Sequence, residues 1–268
     1  MDYGEIISDS INYSRNALVG NWRTWLVFIF CSLPFALMGL LFDPEKIKAA
    51  TVDWSLFPWT QFFALLLVGF LLSFFTTGYL VRVFRGITPP PKFGDWASLY
   101  IDGIKVMIVE IVWFFPSVVF LTCTIILFSL LSPALKGLGL DLPILIASLL
   151  FMVIAIALMI VAILCIFIAT VHYARTGSIR EGIRYSAVFE TIRAIGWGSY
   201  IIALIVLLIT AIIYFLVVSV FGLIPFIGWV INLALDSLFA VFLARYLSRV
   251  YDHAAPSAPP VTVPAAGI

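Results

Sequence analysis

Long apolar runs separated by short polar or Pro/Gly-containing breaks make up most of this chain. A membrane-crossing helix needs about 20 mostly apolar residues to span about 30 Å of hydrocarbon. Six segments meet that requirement, running approximately from Trp25 to Phe42, Phe57 to Val83, Ile104 to Leu131, Pro143 to Val171, Trp197 to Leu223 and Pro225 to Val250. The predicted fold class is therefore all-α, a polytopic membrane protein with six transmembrane helices. Trp22, Trp25, Trp54, Trp59, Trp96 and Trp197 fall at or near the ends of these runs, where an amphipathic ring sits well between headgroups and acyl chains.

Before each odd-numbered span the pattern changes to an amphipathic stripe. In the first, Tyr3, Ile6, Ile7, Ile11, Ala17 and Leu18 share a helical face with Ser10 and Ser14, while Glu5, Asp9, Asn12 and Asn16 take the other. That profile predicts a helix lying in the membrane plane. The second, "FGDWASLYIDG", sets Trp96, Leu99, Tyr100 and Gly103 against Asp95, Ser98 and Asp102, and follows a "TPPP" that stops the preceding helix. In the third, "TVHYARTGSIREGIRYSAVFETIRAIGWG", Ser178 and Glu181 have capping-box spacing and predict a helix start at Ile179. Its stripe switches sides, with Ile179, Ile183 and Ala187 on one face and Tyr185, Val188, Ile192 and Ile195 nearly opposite. Either Gly182 permits a bend or both faces are covered.

The even-numbered spans end alike, in "GYLVR" (Gly78 to Arg82), "HYAR" (His172 to Arg175) and "RYLSR" (Arg245 to Arg249). The order of elements predicts three repeats of in-plane amphipathic helix plus transmembrane hairpin, over about residues 2–84, 94–173 and 178–250 of a single 1–253 domain. Against this stands the plain tendency of Tyr and Arg to gather at membrane boundaries.

Composition supports the membrane reading. Of 268 residues 63% are hydrophobic and 11% charged, with a mean hydropathy of +1.17, which excludes a soluble globular domain. All of the 15 Lys and Arg except Lys46, Lys48 and Lys136 lie in the N-terminal segment, the loops around Arg82 to Lys105 and Arg175 to Arg193, or the C-terminal end. Basic residues accumulate in cytoplasmic loops, so both termini are expected on the cytoplasmic side of a plasma membrane. "MDYGEIISDS" is acidic and is followed by no cleavage site, so the first span is expected to remain as an anchor. Cys31, Cys123 and Cys165 read as small buried apolar residues, and the tail from Ala254 to Ile268 as disordered.

Candidate chemistry is sparse. Asp236 lies near the middle of the last span, where an ionised group costs about 2.5–3.5 kcal/mol, with Asn232 one turn earlier on the same face. It reads as part of a proton or ion path or as an interhelical hydrogen bond that glues spans together. Glu110, near Lys105 in the third span, would complete a two-carboxylate relay if it shared an interior with Asp236. His172 and His253 are the only histidines, and no HExxH, GxSxG, phosphate-binding loop or intramembrane aspartate pair is present. No catalytic residue, metal site or cofactor is therefore assigned, and an enzyme is not expected. Tyr79, Arg82, Tyr173, Arg175, Arg180, Arg184, Tyr246 and Arg249 are candidates for a cytoplasmic interface, whose arginines either bind anionic headgroups or set topology. Glu181 and Glu190 partly neutralise them and favour topology. Pro34 and Pro116, at comparable depth in odd-numbered spans, either kink their helices or improve packing.

The run "GYLVRVFRGITPPPKFGDWASLYIDGIKVMIV" (Gly78 to Val109) resembles an archaeal integral membrane family, domain of unknown function 4013. The likeness lies in an Arg-containing helix end, a triple proline, the Phe93-x-Asp95-Trp96 step and an Asp-Gly before the next span. "DYGEIISDSINY" and "IPFIGWVINLALDSLFAVFLARYLSRVYD" are similar to the same family, while Gly94 stands where another acidic or polar residue is common. A more distant resemblance, in hairpin order alone, is to the membrane domain of glycerophosphodiester phosphodiesterases. The family carries no activity to transfer. The expectation is a non-enzymatic membrane protein acting in membrane organisation, lipid interaction or as a complex subunit, with membrane lipids and a membrane-protein partner or second copy as partners and no nucleic acid. The alternative is a small-molecule or proton-coupled transporter using Asp236.

Overall fold

The computed structural model describes residues 1–39, 41, 57–136, 141–224 and 227–254. Lys46, Lys48, Trp54, the side chain of Lys136 and the tail from residue 255 lie outside the described residues. Among the described residues the secondary structure is helical throughout: α1 (Tyr3–Leu18), α2 (Trp22–Gly39), α3 (Trp59–Phe84), α4 (Trp96–Lys136), α5 (Asp141–Thr176), α6 (Ile179–Gly182), α7 (Tyr185–Ile195), α8 (Trp197–Gly222) and α9 (Gly228–Asp252). The helices α2, α3, α4, α5, α8 and α9 are each long and apolar enough to cross a bilayer. This is an all-helical, multi-pass integral membrane protein. Exposed Trp22, Trp59, Trp96 and Trp197 are the first residues of α2, α3, α4 and α8, as expected of interfacial anchors.

Each hairpin has one inner and one outer helix. The inner helices α3, α5 and α9 touch one another at the centre. Outer α2 packs on α3 and α9, and outer α4 on α5 and α3. Outer α8 packs on α9 and reaches α5 through Tyr200, whose hydroxyl donates to the Leu164 carbonyl at 2.5 Å. The remaining helical segments form a collar around one end, which carries most of the arginines. There α1 packs on α9, the Trp96 end of α4 on α3, and α6 with α7 on α5. Every outer helix and collar segment therefore rests against the inner helix of the hairpin before it, with α9 serving the first.

Much of the apolar face of α1 is covered by protein: Ile6, Ser10, Tyr13, Ser14, Ala17 and Leu18 are buried, with α9 the main partner, while Ile11 is exposed. Buried Ser10 and Ser14 donate back to Ile6 and Ser10 carbonyls within the helix, so the face buries few unmet polar groups. The second stripe is not a separate helix, because α4 runs unbroken from Trp96 through Gly103 and Pro116 to Lys136. The third stripe does break, at Ile183 and Arg184 between α6 and α7, which explains its switched faces. Ser178 is the N-cap of α6 as predicted, yet its side chain makes no capping bond, and the Glu181 carboxylate instead takes Arg184 at 3.1 Å. Among the cysteines, Cys31 and Cys165 are buried but Cys123 is exposed on the outside of α4.

Two helices come into backbone contact where α3 crosses the start of α4. A Cβ on Gly78 would lie 1.9 Å from the Leu99 carbonyl oxygen, and one on Gly103 would lie 2.2 Å from that of Phe74. Both obstacles are backbone, so no rotamer change makes room. Small residues at such crossings let lipid-embedded helices gain van der Waals contact that lipid tails cannot supply. Gly78→Leu or Gly103→Leu is expected to cost about 3 kcal/mol through overpacking, read as thermal denaturation in detergent. Gly198→Ala, whose Cβ meets nothing within 4 Å, should stay within about 0.5 kcal/mol of the native protein.

Candidate functional site at the basic end of the bundle

The last carbonyls of a helix lack intrahelical donors and carry partial negative charge, so a guanidinium there serves as donor and as dipole partner. The inner helices exchange arginines on this principle. Arg85, the C-cap of α3, donates from Nε to the Ala174 carbonyl of α5 at 3.3 Å and from Nη2 to Asp102 Oδ2 at 2.8 Å. Arg175, in the last turn of α5, donates from Nε to the Phe84 carbonyl of α3 at 2.8 Å. Its Nη2 reaches α9, at Ser248 Oγ (2.9 Å) and Asp252 Oδ1 (2.6 Å). Gly86, at φ +78, ends α3 and turns the chain away before the prolines, leaving this carbonyl open to Arg175.

A second ionic group ties α1 to α9. Arg245 Nε donates to Asp9 Oδ2 at 2.8 Å and its guanidinium lies over the Tyr13 ring at 4.6 Å. Arg249 lies 3.4 Å from the same carboxylate and 3.7 Å from Glu5. Asp9 is thus an inward partner rather than part of a solvated face. Arg82 faces the Asp95 carboxylate at 3.9 Å, and Asp95, at φ +52, precedes α4.

The interface tyrosines need correcting. Tyr79, Tyr173 and Tyr246 are 0% exposed, because the basic ends of the inner helices turn them towards the bundle. Tyr173 donates to Asp102 Oδ1 at 3.2 Å and Tyr246 to the Ala203 carbonyl of α8 at 2.8 Å. Tyr79 stacks on Phe93 with centroids 4.6 Å apart, and Phe93 stacks in turn on Trp96 at 5.6 Å, so the Phe93 to Trp96 step seats the start of α4 on α3. Sequence reasoning missed Tyr13, Asp102 and Arg85. Asp102 and Arg85 had been placed in a polar loop or stripe, and only the packing of α3 on the start of α4 shows that they meet.

The four arginines between Thr170 and Gly198 divide. Arg175 is structural, and Arg184 pairs with Glu181, while Arg180 and Arg193 are exposed and make no ion pair. Arg15, Arg23, Lys92 and Lys105 are likewise without an ion pair among the described residues. Of the carboxylates at this end, Asp2 caps α1 and Glu190 is exposed, while Glu5, Asp9, Asp95, Asp102, Glu181 and Asp252 face arginines. Asp102 is buried and Asp9 and Glu181 are half-buried against their arginines, Glu5 and Asp95 stay exposed, and Arg15, Arg23, Lys92, Arg180 and Arg193 face outward.

The intramembrane candidates do not converge. Asp236 is exposed on the outside of α9 and accepts a hydrogen bond from Tyr214 of α8, the geometry of an interhelical tie. Asn232 lies on the same stretch of α9 with its Oδ1 buried and unpartnered. Glu110 is exposed on α4, and neither an ion pair with Lys105 nor a contact with Asp236 is found among the described residues. His172 Nδ1 meets the Tyr251 hydroxyl at 2.7 Å, and its Nε2 lies 3.8 Å from Glu181. Among the described residues no three His, Cys, Asp or Glu side chains are grouped to hold a metal.

A family model described as protein of unknown function, DUF4013, matches residues 61–223, from α3 through α8. The chain belongs to the DUF4013 family. No curated protein and no solved structure matches it. In this DUF4013 protein the matched segment contains the Gly78–Gly103 crossing, the Phe93 to Trp96 step and both arginines of the exchange, whereas Asp9, Arg245 and Asp252 lie outside it.

Two outcomes test the site. Arg175→Gln, which strips partners from both α3 and α9, should lose about 2 kcal/mol in detergent unfolding, and Asp252→Asn about 1 kcal/mol, with the double variant losing less than the sum. Burial pushes the Tyr13 phenol up to about 12, against the pull of Arg245 and aided by Asp9. Its neutral hydroxyl donates to the Ile87 carbonyl at 2.8 Å. The stability this provides is complete below the unfolded value of 10.0 and lost as pH rises through about 12. The native protein should therefore exceed Tyr13→Phe by about 1 kcal/mol at neutral pH, with the difference narrowing above pH 10 and reversing at about pH 11 in unfolding titrations.

Proposed function

We propose that this protein is a non-enzymatic membrane organiser whose basic end engages anionic lipid headgroups on the cytoplasmic face of a plasma membrane, with both termini on that side. The observation that carries the reading is the segregation of charge. Among the described residues Arg15, Arg23, Lys92, Lys105, Arg180 and Arg193 have no carboxylate partner, against Asp2 and Glu190 on the acidic side. A cation near a membrane surface attracts anionic lipid by about 1 kcal/mol, so such a collar gains several kcal/mol that a neutralised one would not. The resemblance drawn from the sequence supports an archaeal membrane, and the distant likeness to a phosphodiesterase membrane domain brings no catalytic residue with it.

The shared arrangement of the hairpins supports reading them as three copies of one unit, in which the second unit has fused its collar segment to its outer helix. The transporter alternative has less to stand on, since Asp236 and Glu110 share no interior in which to pass a proton.

Native mass spectrometry of the intact protein after gentle extraction tests the reading. Retained anionic lipid is expected, reduced by the Arg15→Gln, Arg180→Gln, Arg193→Gln combination and indifferent to Asp236→Asn. A small molecule retained by the native protein and lost with Asp236→Asn would instead establish the carrier. Reporter fusions at either terminus should report the cytoplasm, and an external report from either would reverse the orientation.

A further inference from the structure

An apolar groove opens on the outside of the bundle where α2, α3 and the start of α4 meet. Leu26, Val27 and Phe30 of α2 form one wall, Leu72 and Phe75 of α3 the floor, and Trp96 the other wall. The Trp96 wall is braced, since its ring stacks on Phe93 at 5.6 Å and meets Phe75 edge-on at 5.6 Å, while Phe93 is held by Tyr79 and Phe28. Bracing by an inner helix makes this a preformed slot.

The mouth of the slot is cationic. Arg23 lies three and four residues before Leu26 and Val27, which places it on the same helical stripe one turn nearer the basic end. It is exposed, and lies over the Trp22 ring at 5.7 Å without an ion pair. Across the groove, Lys92 is exposed and directly precedes Phe93, again without a carboxylate partner. The acid beside this wall, Asp95, faces Arg82 instead. From Arg23 to Phe30 the helix rises about 10 Å, the depth from a phosphate into the upper part of a hydrocarbon chain.

We propose that this groove is a binding site for one phospholipid with an anionic headgroup, its phosphate held between Arg23 and Lys92 and one hydrocarbon chain lying along Leu26 to Phe30 against Trp96. The complementarity selects the occupant: an apolar slot in the outer surface of the bundle, flanked by two cations with no carboxylate partner among the described residues. The proposal rests on the lipid reading above and deepens it to one site. A transmembrane helix of a protein partner would fill the apolar slot but leave those two cations unmatched unless it carried acids at the same level.

The test is native mass spectrometry of the full chain in detergent, titrated separately with phosphatidylglycerol and phosphatidylcholine. One tightly retained phosphatidylglycerol is expected in the native protein. Arg23→Gln with Lys92→Gln should weaken it about 25-fold, each surface cation being worth about fivefold, while Arg180→Gln with Arg193→Gln leaves that single lipid unchanged. Val27→Trp, which fills the groove without touching either cation, should release it too, and the exposed charge pair keeps the test decisive if that variant does not fold. Retention unaffected by Arg23→Gln with Lys92→Gln overturns the site. Retention lost only with the Arg180 and Arg193 substitutions overturns the site while leaving the lipid-organising reading intact. Equal, weak retention of both lipids by the native protein overturns both. A co-purifying protein subunit displaced by Val27→Trp, with lipid retention unchanged, assigns the groove to a protein and overturns the lipid proposal.

Discussion

Two arginines, each donating to the final carbonyls of the other's helix, hold the centre of this bundle together. In a membrane the apolar faces of helices gain little by meeting one another, because lipid tails solvate them as well. What remains is close packing and polar contact, and both concentrate at one end. Gly78 and Gly103 bring α3 and α4 into backbone contact, and about two turns beyond, Arg85 and Arg175 satisfy carbonyls that the helix ends leave open. Because Arg175 also reaches Ser248 and Asp252, the exchange includes α9, and Arg245 carries the connection on to Asp9 of α1.

This wiring has an electrostatic consequence that the composition conceals. A net charge of +1 suggests a neutral surface. The carboxylates Asp9, Asp102 and Asp252 are used to pair inner arginines, however, so cations such as Arg23, Lys92, Arg180 and Arg193 face outward with no carboxylate partner among the described residues. A structural demand for satisfied helix ends thereby creates a polarised exterior. The lipid-binding proposals draw on that separation, and the groove beside Trp96 adds the apolar half that a phospholipid requires.

The polar groups within the spans tell a different story. Asp236 meets Tyr214 on the outside of the bundle, and Glu110 stands apart on α4. An isolated carboxylate in an apolar run invites a functional reading from sequence because its cost is plain there. Whether a neighbour offsets that cost depends on the adjacent helix, and a Tyr several turns back in another span carries no periodic signal that would identify it as the partner.

The amino-acid sequence by itself determined the helical class, the six spans to within a few residues at most ends, the start of α6 at Ile179 and the tryptophans at four helix starts. These are properties of a segment meeting lipid, and hydropathy summed along one helix is enough to read them. The tertiary structure alone decided which side each helix presents to its neighbours. A Tyr followed by Arg at a helix end is equally at home among headgroups or in the centre of a bundle, and only the position of α3, α5 and α9 as inner helices placed Tyr79, Tyr173 and Tyr246 inside. The face of α1 was legible but its destination was not, because an apolar stripe has the same pattern whether lipid or α9 covers it.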